Sequence, residues 1–107
     1  MKARPCKQVE GGMKHCEPAE ATHVWLHMPG PFPYRLLPVI TSGSRRETPC
    51  WTWNGDVERP TLKPSIRSTD GKTICHSWVN DGQVQFLADS THELAGKTMA
   101  LLDVEDM

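Results

Sequence analysis

Along the chain, branched and aromatic residues gather in short runs cut by proline, glycine and polar loops, the pattern of strands rather than of helices. Val24-Trp25-Leu26-His27-Met28 is one such run, and it stops at Pro29-Gly30-Pro31, which neither a helix nor a central strand can absorb. Tyr34-Arg35-Leu36-Leu37-Pro38-Val39-Ile40 predicts a second strand, with Pro38 placing it at an edge or bulge, followed by a loop over residues 41–46. Cys50-Trp51-Thr52-Trp53 leads into Asn54-Gly55, a dipeptide suited to positive φ at both central positions of a type I′ turn, and Pro60 and Pro64 hold the next segment extended. Residues 1–22 carry only Val9 and Met13 as larger apolar side chains, too little burial to offset the entropy of ordering them, so a flexible N-terminal leader is expected there.

The clearest element is the run from Thr73 to Asn80, then Asp81-Gly82, then Gln83 to Ala88, which predicts a hairpin with a two-residue turn. That turn pairs Val79 with Val84, Ser77 with Phe86 and Cys75 with Ala88 on a core face. It sends His76 and Trp78 to the opposite face beside Gln85. Thr91 to Ala95 can form a short helical turn ending at Gly96, with Ser90 as N-cap and Glu93 as its third residue. Thr98 to Val104 is a last strand, and residues 105–107 are expected to fray. The expected fold is mainly β, a small antiparallel sandwich or partly closed barrel with at most one short helix, formed as a single β domain by residues 23–107.

Composition narrows the function classes. The 107 residues carry a formal net charge of −1, so the total charge offers no attraction for nucleic acid or an anionic membrane. No run approaches the roughly 20 apolar residues of a membrane helix, and Met1-Lys2-Ala3-Arg4-Pro5 lacks the apolar stretch of a signal peptide. A cytoplasmic protein is expected. Its four cysteines, Cys6, Cys16, Cys50 and Cys75, are then thiols or metal ligands rather than disulfides, and none shows the two-residue spacing of a zinc knuckle.

Three sets of side chains could carry chemistry. His76 and His92 lie close enough in sequence to meet above one sheet edge, and imidazole is both the commonest metal ligand and the usual proton shuttle. With His27 or Cys75 completing the shell, and Asp89 as a carboxylate, they make a candidate zinc site, against the plainer alternative of structural histidines. Cys75 beside His76 invites a thiol nucleophile, but adjacent strand residues point to opposite faces. Trp51, Trp53 and Trp78 with Arg45 and Arg46 could form a protein-binding surface, against the alternative of tryptophans in the core and arginines on a solvated face. In the leader, Cys6, His15, Cys16 and His23 could surround a metal, although the composition there favours a flexible arm.

Several stretches together resemble a known family. Trp51-Thr52-Trp53-Asn54-Gly55-Asp56, Pro60-Thr61, Pro64-Ser65-Ile66, Cys75-His76-Ser77-Trp78-Val79, the run Asp81 to Leu87, and Thr91-His92-Glu93-Leu94-Ala95-Gly96 are similar to small bacteriophage and prophage proteins with a domain of unknown function, some of them labelled ammonia monooxygenase. Many of those relatives look like metal-site proteins, with a Cys-Pro-Gly-Cys near the start and a cysteine before the Thr-His step. Here Met28-Pro29-Gly30-Pro31 and Ser90 stand instead, so of those thiolates only Cys75 remains. Nothing in the chain resembles a membrane copper enzyme. The resemblance implies a phage-encoded accessory protein with no cofactor that binds a host or phage protein and inhibits a host defence or regulatory factor. The alternative is a zinc-type metal-binding protein or a hydrolase centred on His76 and His92, with Asp89 or Glu93 as supporting carboxylate or base.

Overall fold

The computed structural model describes residues 1–40 and 50–107. Among the described residues nine strands form one mixed sheet: β1 Ala3–Val9, β2 Gly12–His15, β3 His23–His27, β4 Tyr34–Ile40, β5 Trp51–Trp53, β6 Leu62–Thr69, β7 Ile74–Asn80, β8 Gln83–Phe86 and β9 Thr98–Ala100. Their order across the sheet is β2-β1-β3-β4-β5-β6-β7-β8-β9. The mainly β architecture is the expected one. Neighbours run antiparallel except β4 and β5, which pair in parallel through Val39 with Trp51 and Ile40 with Thr52. Pro38 is tolerated in β4 because it precedes the two residues that meet β5. The sheet does not close, but it curls far enough for the Leu102 N–H to donate to the His27 carbonyl at 2.9 Å. Inward side chains from both halves share one core, with Val24, Leu26, Leu37 and Val39 meeting Leu62, Ile66, Val79, Val84 and Phe86. Each such buried side chain contributes roughly 1.5–3 kcal/mol, which is what fixes the faces of the strands.

The β7–β8 hairpin has the predicted register, with Val79 opposite Val84 and Ser77 opposite Phe86. Asp81 and Gly82 have φ of 54° and 78°, the two positive values of a type I′ turn. Cys75, Ser77, Val79, Val84 and Phe86 are buried, whereas Trp78, Asn80, Gln83 and Gln85 face solvent. Strand β8 ends at Phe86, so Cys75 does not reach Ala88 in the ladder. Gly82 is needed for space as well as for backbone freedom, because a Cβ there would lie 3.2 Å from the Arg59 Cα and 3.3 Å from the Glu58 carbonyl oxygen. Gly82→Ala is expected to cost about 2 kcal/mol through left-handed strain and backbone crowding. Thermal unfolding should record this as a Tm lowered by on the order of 10 °C.

Residues 1–22, expected as a loose leader, instead form the β1–β2 hairpin and a 3-10 turn at Pro18–Glu20. Bulk apolar burial is not what orders them. Strand β1 extends the sheet beside β3, with Ala3 opposite Leu26 and Pro5 opposite Val24, and the small side chains of Ala3, Pro5 and Cys6 are buried there. Two other local expectations change. Only Gly55 of the Asn54-Gly55 pair has positive φ, and Asn54 Oδ1 accepts the N–H groups of Asp56 and Thr61, holding a longer loop between β5 and β6. Residues 91–96 form turns rather than a helix, and the Ser90 hydroxyl is committed to β7 instead of capping. Val104–Asp106 is a 3-10 turn where fraying was expected.

Candidate active site

Strands β6 and β7 pair with Arg67 opposite His76 and Ile66 opposite Ser77, but the next pair is Leu62 with Val79. Lys63, Pro64 and Ser65 therefore stand against Trp78 alone. A bulge of this kind bends the strand and re-aims its side chains. Here it leans the half-buried Ser65 toward β7, while the Trp51 indole N–H donates to the Ser65 carbonyl at 3.3 Å.

Ser65 Oγ lies 2.8 Å from His76 Nε2. On the far side of the ring, His76 Nδ1 lies 2.9 Å from Asp89 Oδ2 and 3.1 Å from Oδ1. An ionised carboxylate only accepts, so Nδ1 carries the proton and Nε2 presents its lone pair to the serine hydroxyl. The backbone of His76 is held just as firmly. Its N–H donates to Ser90 Oγ at 3.0 Å, and its carbonyl accepts from the Ser90 hydroxyl at 3.1 Å and from the Leu87 N–H at 2.8 Å. Ser90 is buried and adjoins Asp89, so one residue ties the histidine strand to the segment that carries the carboxylate. The arrangement is a nucleophile within hydrogen-bond reach of a base that is oriented in turn by an acid. Chain order is Ser, His, Asp, and geometry rather than order defines such a set.

Residues 35–87 match the family of the bacterial ubiquitination-like system serine protease (BubE). The matched stretch is just under half of the chain and contains Ser65 and His76, with Asp89 two residues beyond it. No curated protein and no solved structure matches the chain. The BubE match overturns the first functional expectation, a phage-encoded protein that binds and inhibits a host factor, because the matched family is named for hydrolysis. It favours the alternative, in its hydrolase form.

The other expected site residues are dispersed. His92 packs edge-on against Phe86, with ring centroids 5.1 Å apart, and its Nδ1 accepts the Leu94 N–H. His27 Nδ1 bonds the Asp103 carbonyl oxygen at 2.9 Å, and its ring lies 5.5 Å from that of Tyr34. Cys75 is buried on the inner face, and burial pushes its thiol above the ordinary range, the opposite of an activated nucleophile. Cys6 is likewise buried and pushed up to about 11. Among the described residues no three His, Cys, Asp or Glu side chains converge as metal ligands would. Trp51 and Trp53, expected at a binding surface, are core residues because their period-two spacing puts both on the inner face. Trp78 is the exposed member of that set, and Arg45 and Arg46 lie outside the described residues.

Proposed function

We propose that this protein is a serine hydrolase that cleaves peptide bonds, with Ser65 as nucleophile, His76 as general base and Asp89 as the group that orients and balances the imidazole. The continuous hydrogen-bonded line from Ser65 Oγ through both nitrogens of His76 to Asp89 carries the reading. The BubE match over residues 35–87 supports it independently. In the first half-reaction Ser65 Oγ bonds to the substrate carbonyl carbon as its proton passes to His76 Nε2. Asp89 then stabilises the imidazolium. The tetrahedral intermediate expels the amine, which takes the proton back from Nε2, leaving an ester on Ser65. Water repeats the sequence with His76 again as base, releasing the acid and restoring the serine. We also infer a cytoplasmic setting, supported by four cysteines that form no disulfide. Among the described residues no helix is long and apolar enough to cross a membrane.

The direct test is a fluorophosphonate, whose phosphorus bonds to an activated serine. Mass spectrometry of the digested adduct should place the label on Ser65. Labelling at another serine, or none, would refute the assignment.

Ser90 contributes by position rather than by contact with substrate. Ser90→Ala removes both of its bonds to the His76 backbone and strands a part-buried N–H, at a cost of about 1–3 kcal/mol. Two readings should move together: faster hydrogen exchange at the His76 amide, and a kcat lowered by roughly tenfold or more with little change in KM, since a 1.4 kcal/mol loss at the transition state is a factor of ten.

A further inference from the structure

Ser65 stands between two cations on the outward face of β6, Lys63 two residues before it and Arg67 two residues after. Pairing fixes their side of the sheet, because Lys63 is opposite the exposed Thr52 and Arg67 is opposite His76. Both are exposed, and among the described residues neither forms an ion pair. Of the nearby carboxylates, Asp81 is paired with Arg59 at 2.6 Å, whereas Asp89 bonds a neutral His76 and keeps its charge. Against that one negative charge stand the two cations, so among the described residues positive charge is in excess around the nucleophile.

A groove of about 340 Å³ opens on this face, lined by Lys63 and Trp78, which flank the bulge that holds Ser65, together with Thr61, Asn80 and Gln85 and the apolar Leu62 and Val79. No acid lines it. The Thr61 hydroxyl donates to Asn80 Oδ1, which leaves the Asn80 amide N–H groups as donors into the groove. Lys63 lies two residues before Ser65, and its flexible four-carbon stem lets the ammonium reach a group one residue away from a carbonyl held at Ser65. An apolar side chain placed here would strip water from Lys63, Asn80 and Gln85 without replacing its hydrogen bonds. A basic side chain would face Lys63 directly. A carboxylate satisfies all of these donors, and the methylene stem of a glutamate can lie on the Trp78 indole.

We propose that this groove is the side-chain pocket for the residue next to the scissile bond and that it selects aspartate or glutamate, making the substrate an acidic peptide. The proposal rests on Ser65 being the nucleophile. Lys63 sets the specificity, and Arg67 on the other side of Ser65 adds to the attractive field.

The full-length protein is assayed against two peptide series that place Glu, Gln or Lys at one position or the other flanking the scissile bond. In one series kcat/KM should be greater for Glu than for Lys by about tenfold or more, and the ratio should shrink as salt rises. Lys63→Glu, an exposed substitution, should reverse the order. Equal rates for the three peptides in both series, or a Glu preference that survives Lys63→Glu, would overturn the pocket assignment. Labelling of wild-type Ser65 by a neutral fluorophosphonate separates the two levels. A labelled protein without acid preference loses only the specificity, whereas an unlabelled one loses the hydrolase reading and the specificity with it.

Discussion

Replacing Ser65 by alanine is expected to abolish peptide hydrolysis, lowering kcat by at least about 10⁴-fold, because among the described residues Ser65 is the hydroxyl that bonds the His76 ring. The fold should survive. Ser65 is half-buried and among the described residues its hydroxyl makes one bond, to His76, so the loss in stability should be no more than about 1 kcal/mol. Measuring hydrolysis and thermal unfolding on the same preparation distinguishes a lost nucleophile from a lost structure. Cleavage persisting in Ser65→Ala would place the nucleophile elsewhere, and Cys75 is a poor candidate given its burial on the opposite face.

Asp89→Asn is the second large effect, a fall in kcat of about 10²- to 10⁴-fold. The asparagine amide has nearly the shape of the carboxylate but no charge to balance the imidazolium. Its NH₂ can also donate to Nδ1, which moves the ring proton to Nε2 and turns a hydrogen toward the serine that should be giving one up. The ground state needs neither feature, so KM should stay within about threefold while kcat drops. The exposure of Asp89 is why the range reaches below the effect expected in a buried triad. Steady-state kinetics on one peptide would separate the two constants, and a rise in KM at constant kcat would mean that Asp89 binds substrate instead of serving His76.

Much of the scaffold was legible because its signals are local. Asp81-Gly82 fixed the turn, and alternation then placed Cys75 inside and His76 outside, where the structure has them. The N-terminal hairpin is harder to read because the segment holds few bulky side chains; Gly11 signals only the β1–β2 turn, and the pairing of β1 with β3 across β2 and the 3-10 turn has no local signature. Ser65 was hidden for a different reason. It has no flanking glycines to announce a strained nucleophile turn, and Pro60 and Pro64 made its segment look like extended loop rather than a central strand. What brings it to His76 is the slip in register between Leu62 and Ile66, a relation between two strands that no single strand's periodicity encodes. Asp89 reads in the sequence either as a metal ligand or as a supporting carboxylate or base beside His76, and only the contact of Ser65 with the other ring nitrogen separates the two.

The side chain of Asp89 keeps 64 % of its surface in water. Two charges 4 Å apart interact about four times more strongly in protein-like surroundings than in bulk solvent. A resting molecule thus holds its acid in the medium that weakens it most, and a bound polypeptide lying across Asp89 would displace that medium. On the proposed mechanism, catalytic power would therefore rise only as a polypeptide seats across Asp89.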